Sequence, residues 1–187
     1  TFENVSGRVG DLCVQSNIGA SAEWIDYDED GDLDLYVANE EEDGSEMYRN
    51  EGDGTFKRAT EETLPYTVWY ARGTAMGDVN GDGLFDLWTL SYPSEKPDGA
   101  DLARQTRPQP VMRPVLWQNT GSGPFQELAI AYGVQPISAG QVPLLGDYDH
   151  DGLMDAMAST DQGLAAWKGK RVGTAQVASF EDQTNAW

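Results

Sequence analysis

Asp26-Tyr27-Asp28-Glu29-Asp30-Gly31-Asp32-Leu33-Asp34 is the stretch on which the reading of this chain turns. It returns as Asp78-Val79-Asn80-Gly81-Asp82-Gly83-Leu84-Phe85-Asp86, and again as Asp147-Tyr148-Asp149-His150-Asp151-Gly152-Leu153-Met154-Asp155. All three follow D-x-[DN]-x-[DN]-G-x-x-D. Oxygen-bearing side chains at positions 1, 3, 5 and 9, with glycine at 6, suit a hard cation held by a short loop. Calcium takes roughly six to eight oxygens, and the glycine permits the sharp turn that lets alternate side chains converge. One match could be chance in an acidic chain; three, each running into an apolar segment, make a pattern.

The spacing assigns ligand roles. Loop one would offer Asp26, Asp28, Asp30 and Asp34, with the backbone carbonyl of Asp32 at position 7. Loop two would offer Asp78, Asn80, Asp82 and Asp86 with the Leu84 carbonyl; loop three, Asp147, Asp149, Asp151 and Asp155 with the Leu153 carbonyl. About three calcium ions are expected. Asn80 makes loop two the least anionic and, since ligand charge tunes affinity, the expected weakest site. An EF-hand is excluded at position 12, where a bidentate Glu is needed and Val37, Thr89 and Ala158 stand instead. Magnesium resists dehydration and seldom takes an all-protein cage. The one histidine, His150, occupies a non-ligand position. The ions are expected to be structural, pinning one hairpin each, with no catalytic residue and no enzyme activity.

The composition agrees. The 187 residues carry 32 acids against 12 bases, a net charge of −20, which argues against nucleic acid and anionic membrane surfaces. The loops hold 13 of the 32 acids, so much of the acidity reads as ion-binding capacity. Frequent Gly and aromatic residues mark a turn-rich β protein. A single cysteine, Cys13, excludes an internal disulfide and reads as a small buried apolar residue. No apolar run is long enough for a transmembrane helix. The chain opens mid-pattern at Thr1-Phe2, as a processed or excised piece would.

A second marker travels with the loops. Phe2, Phe56, Phe125 and Phe180 sit in four versions of one short strand, spaced by 54, 69 and 55 residues. Tyr48, Trp117 and Trp167 mark a third. Each unit then reads as four strands: a into the loop (22–25, 73–76, 142–145), b out of it (33–38, 84–90, 153–159), c with the aromatic, d with the Phe. Tandem four-stranded units of this length signal an all-β propeller of antiparallel blades. The units run 1–54, 55–123 and 124–178, with the start of a fourth at 179–187, all in one propeller region over 1–187. Three blades are too few for a ring, so the propeller is expected to be incomplete or to be completed by another chain or segment. The strand Thr1–Ser6 and the end Ser179–Trp187 would be open edges, available for pairing with a protein partner or a second copy. The middle unit is lengthened by Ser91–Arg113, a Pro-rich excursion with four bases (Lys96, Arg104, Arg107, Arg113) that reads as a surface insertion or a docking loop. The run Glu40–Asp43 reads as a solvated acidic turn.

This pattern resembles the FG-GAP/VCBS repeat. The likeness is carried by Trp24 to Asn39 and by Met47-Tyr48-Arg49-Asn50-Glu51-Gly52-Asp53-Gly54-Thr55-Phe56, and is nearest to the bacterial secreted type found with ASPIC/UnbV segments. The same repeat builds the propeller of integrin α subunits. The resemblance implies calcium at the loop aspartates, a secreted, cell-surface or periplasmic location, and a role in adhesion or ligand binding. The third unit departs from the pattern after Trp167. The ligand is not implied. A lectin-like sugar site, with Trp24, Trp69, Tyr70, Trp88 or Trp117 as stacking faces, is an alternative, and an accessory domain of a secreted enzyme is another.

Overall fold

The computed structural model describes residues 2–13, 18–40, 44–91, 114–121, 123–129, 131–134, 140–171 and 178–184. Twelve strands form three four-stranded antiparallel sheets. The first holds β1 (Gly19–Ile25), β2 (Asp34–Asn39), β3 (Glu46–Asn50) and β4 (Phe56–Arg58). The second holds β5 (Ala71–Gly77), β6 (Asp86–Ser91), β7 (Val115–Gln118) and β8 (Gln126–Glu127). The third holds β9 (Gly140–Gly146), β10 (Asp155–Thr160), β11 (Gly163–Arg171) and β12 (Ala178–Asp182). Strands follow sequence order in every sheet, and each acidic loop joins the first two. These are the expected propeller blades, and the three do not close a ring among the described residues. The only helical pieces there are a 3-10 turn, Asp11–Cys13, and α1, Thr60–Thr63.

The blades stack face to face through their inner strands: β1 and β2 lie on β5, and β5 and β6 lie on β9. This explains the burial patterns. β6 is covered on both sides and every residue of it is buried, whereas β2 alternates buried and half-buried because a blade covers one of its faces. Two apolar clusters fill the two interfaces. Tyr36, Met47, Leu87 and Trp117 lie in the first; Trp88, Leu116, Trp167 and Phe180 lie in the second. Trp88 and Trp167 meet edge to face at 5.5 Å across the second, worth about 1 kcal/mol beyond the area they bury. Across the first, the buried Tyr36 hydroxyl and Thr89 Oγ1 share a hydrogen bond of 2.9 Å.

Each outer edge is engaged at its marker Phe. In each blade the N–H of the marker Phe donates to a carbonyl of the segment that enters that same blade: Phe56 to Val9 (3.2 Å), Phe125 to Thr63 (2.8 Å), Phe180 to Tyr132 (2.5 Å). Gly10 (φ +66°) and Gly133 (φ +83°) lie directly against the Phe56 and Phe180 backbones, where a Cβ would collide. This corrects two expectations. Residues 2–5 form no strand and Phe2 is fully exposed, so the described part of the expected Thr1–Ser6 strand is not an outer strand; residues 9–13 lie against β4 instead. The Ser179–Asp182 strand is β12, the outer strand of the third blade, with its Phe180 N–H engaged, and not a fourth unit awaiting a partner. Each Phe strand hydrogen-bonds to the loop-bearing sheet before it, so a blade runs from strand a to strand d and the Phe closes it.

What remains uncovered is sheet face. Along β9, Pro143 and Leu145 turn to the second blade while Val142 and Leu144 turn away, 57% and 58% exposed. Leu164 of β11 is exposed as well, and on the first blade Trp24 is 49% exposed. The insertion over 92–113, residues 41–43 of the acidic turn, residues 185–187 and the Cys13 side chain lie outside the described residues.

Candidate metal centre

The three loops share one scaffold. Position 9 begins the second strand of its blade and is buried in each: Asp34, Asp86 and Asp155 are at most 1% exposed. One carboxylate oxygen accepts the N–H of position 2, from Tyr27 (3.1 Å), Val79 (2.9 Å) or Tyr148 (3.0 Å). The other accepts an N–H at the end of the third strand, from Asn50 (2.8 Å), Asn119 (2.9 Å) or Gly169 (2.8 Å). Position 9 thus clamps the loop to strand c, a role that reading it as a ligand alone had missed. Position 5 accepts the position-7 N–H in every loop: Asp30 from Asp32 (2.9 Å), Asp82 from Leu84 (2.9 Å), Asp151 from Leu153 (3.0 Å). Position 4 is left-handed in all three, at Glu29 (φ +58°), Gly81 (φ +75°) and His150 (φ +61°), as is the glycine at position 6. The glycine in loop two was the one sequence signal for position 4. His150 thus holds a left-handed backbone position.

The loops differ in what faces their carboxylates. In loop one, Asp26 Oδ2 accepts from Gly31 N (3.1 Å), but Asp26 Oδ1 and Asp28 Oδ1 are buried with no hydrogen-bond partner. Ligand oxygens of Asp26, Asp28 and Asp34 lie within 4.8 Å of one another. A buried carboxylate oxygen without a partner is costly. The strain is visible in the acidities: burial, with Asp30 and Asp26 nearby, raises Asp28, and burial pushes Asp34 up to about 6 despite its two backbone donors. The donor set fits a divalent cation, which would supply both missing partners and favour the charged carboxylates.

Loop two is internally paired. Asp78 accepts from Gly81 (2.7 Å), Asp82 (3.1 Å) and Gly83 (2.9 Å), and the Asn80 amide donates to Asp82 Oδ2 at 2.7 Å. Burial pushes Asp86 up to about 7. A cleft of about 350 Å³ separates this loop from loop three, with Asn80, Asp147 and Arg171 on its walls. In loop three, Asp147 accepts from Asp151 (3.1 Å) and Gly152 (2.9 Å). Ligand oxygens of Asp147, Asp149 and Asp151 also lie within 4.8 Å of one another, but Lys168 Nζ pairs with Asp149 Oδ2 and lies 3.1 Å from Asp151 Oδ2.

Residues 26–89 match the model of the FG-GAP-like repeat family. The chain carries an FG-GAP repeat. The match runs from the start of loop one through loop two and into β6; loop three lies beyond it. No curated protein matches the chain. Among solved structures, the chain is similar to an Agrocybe aegerita lectin, described as specifically recognising non-reducing terminal N-acetylglucosamine. The two are 17% identical over 86% of this chain and 36% of that one, with a TM-score of 0.44. The chain thus spans about a third of that structure's length, and a likeness of this size says nothing about what this FG-GAP repeat chain binds.

The aromatics considered as sugar platforms divide. Trp88 and Trp117 are fully buried in the inter-blade cores, Trp69 and Tyr70 are half-buried, and Trp24 is half-exposed with its ring 5.9 Å from that of Phe56.

Proposed function

We propose that this FG-GAP repeat chain is a calcium-binding propeller module that works by holding partners, not by catalysis, in a secreted, cell-surface or periplasmic setting. One observation carries the calcium reading: loop one keeps two buried carboxylate oxygens, Asp26 Oδ1 and Asp28 Oδ1, without any partner, beside the buried Asp34. Asp26, Asp28 and Asp34 would hold the ion, joined by Asp30 and the Asp32 carbonyl. The ion supplies positive charge at a hairpin corner where four aspartates crowd, and it binds the folded loop alone, so it stabilises the fold. Millimolar calcium, as found outside cells, suits sites of this kind.

The interaction reading rests on the sheet faces. The exposed apolar side chains on the blade strands include Val142, Leu144 and Leu164 on the third blade and Trp24 on the first. A propeller blade buries such faces against a neighbour, so a further blade or another chain fits there.

Thermal unfolding with and without chelator tests the calcium reading. At calcium about 100-fold above its dissociation constant, the ion adds about 2.7 kcal/mol. For a domain of this size that is about 5–10 °C in Tm. A melt unmoved by EDTA would overturn it. For the faces, sedimentation in calcium should give a defined oligomer or a partner complex that Leu144→Asp abolishes; a monomer whose binding is indifferent to that change counts against it.

A further inference from the structure

We propose that Lys168 is the resident cation of loop three, so that this loop, despite a full set of aspartates, is not a divalent-metal site. The argument begins with register. Leu35, Leu87 and Ala156 follow position 9 in the three blades, and their partners on the third strand are Tyr48, Trp117 and Trp167. The next residue of that strand is therefore structurally equivalent in all three blades, and it differs in each: Arg49, Gln118 and Lys168.

Those three side chains do different things. Arg49 is drawn to other carboxylates: its Nε and a terminal nitrogen grip Glu51 Oε1 at 3.0 and 2.8 Å, and it reaches Glu62 at 4.0 Å, while its charge offsets part of the rise of Asp28. The planar guanidinium is committed to those carboxylates, and the oxygens of Asp26 and Asp28 stay unpartnered. Gln118 brings no charge to loop two, which pairs Asn80 with Asp82. Lys168 brings a compact ammonium, with three donors, onto Asp149 and Asp151, positions 3 and 5 of loop three. Asp149 and Asp151 are exposed as well, where Asp26 and Asp28 are half-buried.

Backbone geometry keeps the ammonium there. The Asp155 clamp on Gly169 N (2.8 Å) fixes the third strand one residue beyond Lys168, and buried Trp167 anchors it one residue before. The nearest competing carboxylate on the outer strand, Glu181, is already held by Lys170. A divalent ion entering loop three must displace a tethered cation at effectively high local concentration and leave that ammonium without a partner. The sequence expectation that loop two is the weakest site thus gives way to a different order, with loop three last. The inference leans on the calcium reading only for loop one as its comparison.

Terbium titration of the metal-stripped chain tests it, because Tyr27 and Tyr148 stand at position 2 of loops one and three and sensitise an ion bound beside them. In the wild type, Asp28→Asn should abolish the tyrosine-sensitised signal and Asp149→Asn should leave it unchanged. Lys168→Met should add one tyrosine-sensitised ion, with affinity at loop three raised at least about tenfold, and adding Tyr148→Phe should remove the gain. Two outcomes overturn the proposal: loss of signal on Asp149→Asn with Lys168 in place, or a folded Lys168→Met chain that binds no more ions than the wild type. Asp149 is exposed, so the first comparison stands even where the Lys168 variant unfolds. A wild type that binds no ion, with Lys168→Met binding one, would sink the loop-one reading and leave Lys168 standing.

Discussion

Loop one and loop three have the same aspartates at positions 1, 3, 5 and 9, on the same hairpin corner, clamped by the same two backbone hydrogen bonds, yet they are electrostatic opposites. In loop one the carboxylates at positions 1 and 3 each keep a buried oxygen without a partner; in loop three an ammonium bridges the carboxylates at positions 3 and 5. The difference comes from one residue on another strand, Arg49 against Lys168. A metal-binding motif read along the chain records the ligands but not the cation that reaches them from elsewhere. The first experiments should therefore separate what the loops share from what divides them.

The shared part is the clamp, and breaking it should have the largest effect. Asp34→Asn and Asp155→Asn each replace an acceptor oxygen by an amide N–H pointing at a backbone N–H, in a site at most 1% exposed. One buried donor loses its partner and two donors then oppose each other, so each variant should lose about 2–4 kcal/mol. Urea unfolding without metal reads it. Equal losses in the two loops support a common structural clamp; no loss in either, with a loss in loop one only once calcium is added, would make position 9 a metal ligand first.

Calcium should then separate them. With calcium present, Asp28→Asn should erase most of the EDTA-sensitive part of Tm, about 5–10 °C at saturating ion. Asp149→Asn should erase none of it, since its partner is Lys168. If both variants lose the same share, the two loops are equivalent sites and the contrast between them fails.

Acidity provides a smaller and oppositely signed effect. Burial raises Asp86 to about 7 and Asp34 to about 6 in the folded chain. A raised carboxyl holds its proton in the native state at a pH where the unfolded chain has already released it. The native state then binds more protons, so metal-free stability falls as pH rises from about 4 to 7. The loss should be at least about 1–2 kcal/mol. Calcium should flatten or reverse the slope, because it favours the ionised form at loop one. A metal-free stability that climbs over this range would contradict the burial of these carboxyls.

Much of this architecture was legible along the chain. The repeated loops set the blade register, and the marker aromatics Trp117 and Trp167 proved to be core residues on the third strands, as their spacing implied. What stayed hidden was whatever depends on a partner distant in sequence. Position 9 looked like one more ligand because its backbone donors on strand c carry no side-chain signature. Nothing in the spacing singled out Lys168, 13 residues past the end of loop three. The hydrogen bond that seals each blade runs from the marker Phe to a carbonyl in an irregular segment, so Thr1–Ser6 and Ser179–Trp187 looked like free edges. Periodicity reports which face a strand buries, not what caps its rim.

Position 4 offers the smallest effect and the finest comparison, because there loops one and three agree and loop two departs. Glu29 and His150 hold left-handed backbone at φ +58° and +61°, a conformation that costs a residue with a Cβ about 1 kcal/mol relative to glycine. Gly81 occupies the same position in loop two without that cost. Replacing Glu29 or His150 by glycine removes the strain but loosens the unfolded chain by about 0.4–1 kcal/mol, so the net gain should be a few tenths at most. Gly81→Ala reverses both terms and should lose a comparably small amount. Glu29→Gly has a second consequence that His150→Gly lacks: it removes an acidic side chain from loop one, where burial and like charge already raise Asp28. Metal-free, Glu29→Gly should therefore gain more than His150→Gly, and in saturating calcium the two gains should converge as the ion offsets the crowding. Equal gains at every calcium concentration would mean that loop one carries no more unbalanced charge than loop three, which is the proposition on which the contrast between them rests.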